Sequence, residues 1–195
     1  MDEIKSAYEI AMERVKKLGE ATDEERLKWK YIPEGEKLAA KYLKQESELS
    51  ELAKYDAKVA KHVKQGVSDI LIRNITLPRD EIAKRATKRA MDGLKEIKKD
   101  RVAIENVYSK IRRIFSHYAD QGEQQRIKAY QTLKADFEAR IQQAVQQQMG
   151  TAAGINIDVE KQPQFQEEWH KVKTQLDSQY IKLLDEYKQE LTVIE

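Results

Sequence analysis

The stretch from Pro78 to Tyr118 constrains the fold more than any other. Its stripe positions recur every seven residues at Ala83, Thr87, Ala90, Leu94, Ile97, Arg101, Ile104, Tyr108, Ile111, Phe115 and Tyr118. That spacing keeps one narrow apolar stripe facing a partner helix, as in a coiled coil. It predicts a single unbroken helix of about forty residues, on the order of 60 Å long at 1.5 Å per residue. A helix of that length cannot bury its stripe in a small globule, so the pattern predicts an elongated molecule.

Residues 34–74 supply the matching partner. Their stripe runs Leu38, Tyr42, Gln45, Leu49, Leu52, Asp56, Val59, Val63, Gly66, Ile70, with polar intruders at Gln45 and Asp56. Pro33 or Glu34 opens this helix with an acidic first turn. Gly66 either lets another helix approach closely or simply costs about 1 kcal/mol of helix propensity. Between the two arms, Asn74-Ile75-Thr76-Leu77-Pro78-Arg79-Asp80-Glu81 reads as a tight turn, with Pro78 at the first helical position. A short connection makes antiparallel neighbours the default. In the resulting register, positions whose numbers sum to about 153 lie side by side, so Leu52 faces Arg101 and Asp56 lies one turn from it. The register predicts an Asp56–Arg101 ion pair that contributes little net stability but fixes the pairing. The alternative is that both side chains reach solvent.

The rest of the chain is read as helices that join this hairpin. A helix over 2–20 carries Ile4, Tyr8, Ala11, Val15 and Leu18, with Gly19 as its cap. Thr22-Asp23-Glu24-Glu25 matches a capping box for a short helix bearing Leu27 and Trp29. Trp29 and Tyr31 are read as covering an end of the bundle rather than as a binding patch. A helix over 124–149 follows either a break or a kink at Gly122, and its Gln142–Gln148 tract is read as a polar face. Gly150-Thr151-Ala152-Ala153-Gly154 ends it, and Ile155–Val159 alternates as an extended segment would. A last helix spans 163–195. The expected fold is therefore all-α: a single elongated domain over 1–195, an antiparallel helical bundle built on a coiled-coil-like hairpin over 34–118.

Composition supports that class and bounds the function. Charged residues make up 36% and hydrophobic ones 40%, with three prolines, the signature of long helices. There is no cysteine, which removes disulfides, thiolate chemistry and cysteine-based zinc sites, and fits a cytoplasmic setting. Met1-Asp2-Glu3-Ile4-Lys5 lacks the basic-then-apolar order of a signal peptide, and no apolar run approaches the roughly 18 residues of a membrane span. No membrane association is expected.

No catalytic, cofactor or metal motif stands out, and none is expected. Glu167-Glu168-Trp169-His170 has Glu-x-x-His spacing, but a di-metal bundle needs two such motifs and two further glutamates. The net charge of +2 is unevenly spread: 79–113 carries +6 and 155–195 carries −4. Lys84, Arg85, Lys88, Arg89, Lys95, Lys98, Lys99, Arg112 and Arg113 could track a nucleic-acid backbone. Without interleaved aromatics, docking of this basic segment beside the acidic last helix, or an acidic partner, is the favoured reading.

Two stretches, Leu18-Gly19-Glu20-Ala21-Thr22 through Leu27-Lys28-Trp29-Lys30-Tyr31-Ile32-Pro33 and Gln162-Pro163-Gln164-Phe165-Gln166-Glu167-Glu168-Trp169, together resemble a group of short, all-helical, uncharacterised bacterial proteins. That resemblance implies no activity or functional residue. The expected role is a non-catalytic scaffold, assembly or protein-interaction protein, with a homodimer or another protein as partner. A nucleic-acid binder and an enzyme with an unrecognised site are the alternatives.

Overall fold

A computed structural model describes residues 12, 21–149 and 158–195. Apart from Met12, the helix expected over 2–20 lies outside the described residues, as do the Gly150–Gly154 segment and Ile155-Asn156-Ile157. Within them the chain is all-α, with no strand. Five α-helices follow in order: α1 (Asp23–Leu43), α2 (Ala57–Arg73), α3 (Glu81–Ile97), α4 (Arg101–Met149) and α5 (Pro163–Val193). Two 3-10 helices, Leu49–Lys54 and Val159–Lys161, lie between them.

Neither arm of the expected hairpin is one helix. The second arm ends at Leu43 and resumes at Ala57, and the 78–118 arm breaks at Lys98-Lys99-Asp100. Each polar intruder sits at a break. Gln45 has φ 64°, just beyond α1, and Asp56 is the extended residue before α2. Arg101 is the first residue of α4. At the last break the N–H groups of Lys99 and Asp100 donate to the Glu195 carbonyl at 2.9 and 3.2 Å. That satisfies backbone donors which a helix start leaves open.

Other boundaries also move. Pro33 does not start a helix but lies inside α1, which Thr22 caps through a complete capping box. The α3 start belongs to Asp80, whose Oδ1 accepts from the Ala83 N–H at 2.7 Å, not to Pro78. Gly122 neither breaks nor ends a helix, because α4 continues through it to Met149. Val159, expected in an extended segment, is buried at the start of a 3-10 turn.

The chain divides into two compact units. One takes in the chain up to Ile75 together with Ala86–Arg101 and Glu195, and the other takes in Thr76–Arg85 and Val102–Ile194. In the first, α1 and α2 meet backbone to backbone. A Cβ on Gly35 would overlap the Val63 carbonyl oxygen, and one on Gly66 would overlap the Ile32 carbonyl oxygen. The contacts advance together along both helices: Tyr31 meets Tyr55, Gly35 meets Val63–Val67, and Tyr42 and Leu71 converge at Gly93. So α1 and α2 run in the same sense, which the long 44–56 connection permits. The first-unit part of α3 runs antiparallel to α2, with Thr87 hydrogen-bonded to the Asn74 carbonyl and Gly93 against Leu71. The expected register, in which paired numbers sum to about 153, is corrected by that pairing, since 87 and 74 sum to 161. Leu38, Tyr42, Leu49, Val63, Val67, Leu71, Ala90 and Leu94 are buried in this unit.

The second unit is organised by α4 and α5. Their contacts run in opposite directions, from Lys110–Glu190 through Tyr118–Tyr180 and Tyr130–Trp169 to Phe137–Phe165. The buried positions Ile104, Tyr108, Ile111 and Tyr118 are those of the stripe that predicted the helix. Leu184 and Leu191 are buried on α5, together with Phe165 near its start. Gly122 allows the close fit of Tyr180, whose hydroxyl would lie 3.2 Å from an added Cβ.

Candidate functional site

Two concavities lie in the second unit, one between α4 and α5 and one where residues 78–84 adjoin them. The first is a groove of about 450 Å³ whose floor is Ile114 and whose sides include Tyr180, Leu183 and Tyr187. Ile114 is buried, whereas Leu183 is 39% exposed, so an apolar side chain faces solvent between two tyrosines. Lys110, Arg113 and His117 add a basic edge. Lys110 is engaged by Glu190 at 2.7 Å and lies 5.3 Å from the Tyr187 ring centre. His117 Nδ1 lies 2.9 Å from the Tyr180 hydroxyl. Helical periodicity brings these residues together: 110, 114 and 117 share one face of α4, and 180, 183 and 187 share one face of α5.

The second is a polar cleft. Asp177 projects from α5 at 3% exposure, and its Oδ2 meets Arg79 Nη2 at 3.0 Å. Its Oδ1 is buried without a hydrogen bond, 3.7 Å from Arg126 Nη1. The Arg126 guanidinium stacks 4.2 Å from the Tyr118 ring centre, donates to the Tyr118 carbonyl at 3.2 Å and pairs with Glu123 at 2.7 Å. Burial first, and then the Asp177 charge, pushes the Tyr118 hydroxyl above its usual range.

The residues singled out in the sequence are dispersed. Asp56 and Arg101 are both exposed, and no ion pair joins them among the described residues. The predicted pair presupposed two continuous stripes, and both stripes are interrupted at these residues. Of the basic residues, Lys84, Arg85, Arg112 and Arg113 belong to the second unit, and Lys88, Arg89, Lys95, Lys98 and Lys99 to the first. Lys84 pairs with Glu81, Arg112 with Glu105, and the Arg85 Nε donates to the Glu81 carbonyl. Arg89 is structural: it donates to the Tyr42 carbonyl at 2.5 Å and stacks 4.2 Å over the Tyr42 ring. Lys98 is half-buried, and burial lowers its pKa while Asp69 opposes that shift. The basic 79–113 segment does meet the acidic last helix, at Arg79–Asp177 and Lys110–Glu190.

Glu167 and Glu168 are paired with Lys171 on the exposed side of α5. Among the described residues no group of three or more His, Asp or Glu could hold a metal ion, and no helix is long and apolar enough to cross a membrane. Trp29 is half exposed, while Tyr31 packs edge-on against Tyr55. Sequence reasoning missed Asp177, Arg126 and Tyr118 as a set. Tyr118 and Arg126 stand eight residues apart on α4, at helical spacing, but nothing in the chain links them to Asp177 before α4 and α5 pair.

Fold and surface together define an all-α protein with a concave surface on its antiparallel α4–α5 pair. The chain belongs to the family of unknown function DUF6657, whose pattern matches residues 49–193. That span begins at the Leu49–Lys54 3-10 helix and ends with the last residue of α5. It agrees with the resemblance to uncharacterised proteins; of the two stretches that carried it, Gln162–Trp169 lies inside the match and Leu18–Pro33 outside. No curated protein and no solved structure matches the chain.

Proposed function

We propose that this is a non-catalytic helical interaction protein of the cytoplasm, and that its working surface is the groove between α4 and α5. The carrying observation is Leu183, 39% exposed between Tyr180 and Tyr187 above the buried Ile114. Aromatic side chains with one wet end and one apolar face are favoured at protein interfaces. A groove of this form suits an amphipathic helix laid along it. Arg113 on its edge favours a partner with acidic residues flanking its apolar face. The cytoplasmic setting rests on the cysteine-free sequence. Nucleic acid is the weaker reading, because Arg89 is committed to Tyr42 and Arg112 to Glu105.

A photo-crosslinking amino acid at position 183 of the full chain, activated in the producing cell, tests this. The expected outcome is a discrete adduct with an acidic, helical segment of another protein, absent when the crosslinker replaces the exposed Lys171. A synthetic peptide of that segment then binds the purified protein and loses binding to Leu183→Glu. A self-adduct at position 183 would make the partner a second copy of the chain. No adduct specific to position 183 would remove the groove as the working surface.

A further inference from the structure

The cleft beside Asp177 differs in chemistry from the groove and supports an inference that does not depend on it. Its volume is about 450 Å³, within the range of about 300–1,000 Å³ typical of small-molecule sites. Both acids on its wall are already met by guanidinium groups: Asp177 by Arg79 at 3.0 Å, and Glu123 by Arg126 at 2.7 Å. Lys84, Lys173 and His170 also line it. Lys84 has Glu81 as a neighbour at 2.6 Å, and Lys173 makes no ion pair among the described residues. The lining is therefore positive on balance.

Arg79 is the central group. A guanidinium offers five N–H donors in a fixed fork. The buried Asp177 holds one edge of it, while its side chain stays 55% exposed along the cleft. Asp177 thus acts as a positioning residue: it fixes one side of a guanidinium whose side chain remains more than half exposed. A fork fixed from behind by a carboxylate suits a planar or tetrahedral oxyanion, and lysines at its sides favour the higher charge of a phosphate. We propose that this cleft binds the phosphate group of a small phosphorylated molecule, with Arg79 as the forked donor and Lys84 and Lys173 as flanking charges. The space beyond the phosphate holds the molecule that carries it.

Calorimetric titration of the full chain at constant ionic strength tests this, with inorganic phosphate and a hexose phosphate as the ligands used and chloride as the reference. Saturable binding of both is expected, tighter for the hexose phosphate. Arg79→Lys keeps a cation beside Asp177 but removes the fork, and Lys173→Gln removes an exposed charge. Each should weaken binding about tenfold or more, the scale of one lost charge-assisted contact. Lys171→Gln, outside the cleft, should bind as the parent does. The proposal is overturned by an absence of saturable heat above the chloride reference, or by equal losses in Lys173→Gln and Lys171→Gln. Succinate binding where phosphate does not would overturn it too, and binding of inorganic phosphate alone would reject the carried molecule.

Discussion

Two glycines show how differently the same residue can act. A Cβ at Gly66 would meet the Ile32 carbonyl oxygen, a backbone atom that cannot rotate away, and Gly35 meets Val63 in the same manner. Gly66→Ala therefore forces α1 and α2 apart. We expect a loss of about 2–3 kcal/mol or more, the upper range for overpacking, read as a lower urea midpoint with an unchanged slope. At Gly122 the nearest atoms are the tips of Arg126 and Tyr180, both about 3.2 Å from an added Cβ. Those tips can yield by a few tenths of an ångström, and alanine gains about 1 kcal/mol of helix propensity. Gly122→Ala should thus leave stability unchanged within about 1 kcal/mol, and equal losses at both glycines would refute this account. The role of Gly66 was half legible in the sequence, since it falls on an apolar stripe. Its partner Gly35 was not, because the facing residue depends on α1 and α2 running in the same sense.

At the scale of elements, the heptad pattern located the buried faces correctly and the helix ends poorly. Leu38, Tyr42, Leu49, Leu52 and Val63 are all buried, as are Thr87, Ala90, Leu94, Ile104, Tyr108 and Ile111. A stripe records which residues face inward, and a chain can turn between two inward residues without disturbing the count. The turns fall where the stripe is polar: Gln45, Asp56 and Arg101 are exposed at breaks. Read as helix interruptions, rather than as a buried ion pair, these three intruders would have placed every break in the two arms. Pro33 departs from expectation for the opposite reason. A proline normally opens or ends a helix, yet α1 runs from Asp23 to Leu43 around it. Pro33 is exposed, so the Trp29 carbonyl that loses its helical donor can be met by water. Some of the penalty of an interior proline, up to about 3 kcal/mol, nevertheless remains. Pro33→Ala should raise stability by about 1–3 kcal/mol and increase helical circular dichroism slightly. A decrease in stability would mean that α1 depends on its proline.

For the whole molecule, we expect three buried titratable groups to contribute to the pH dependence of stability, with at least one of them in each unit. His62 is 2% exposed, and its Nε2 has no hydrogen-bond partner. Burial, and then Lys61, pushes its pKa below the usual 6.5. The folded chain thus favours neutral imidazole, while the unfolded chain takes up a proton near 6.5. His62 contributes stability that is fully present above that pH and falls as pH drops through the lower folded value. Tyr42 in the first unit and Tyr118 in the second behave in the opposite sense. Burial raises both hydroxyls above the usual 10, with Glu96 adding to the effect on Tyr42 and Asp177 to that on Tyr118. The folded chain keeps these protons after the unfolded chain has released its own, so stability is full below pH 10 and falls as pH rises beyond it. Urea midpoints measured between about pH 5 and pH 11 should trace a plateau with two falling limbs. His62→Leu should flatten the limb between pH 6.5 and pH 5, where few carboxylates titrate. Tyr42→Phe and Tyr118→Phe should each reduce the alkaline slope, whatever they do to the plateau height, because the slope counts protons and the height counts contacts. An acid limb of unchanged slope in His62→Leu would show that His62 is not the group responsible. An alkaline slope that survived both tyrosine substitutions would shift that limb to the lysines.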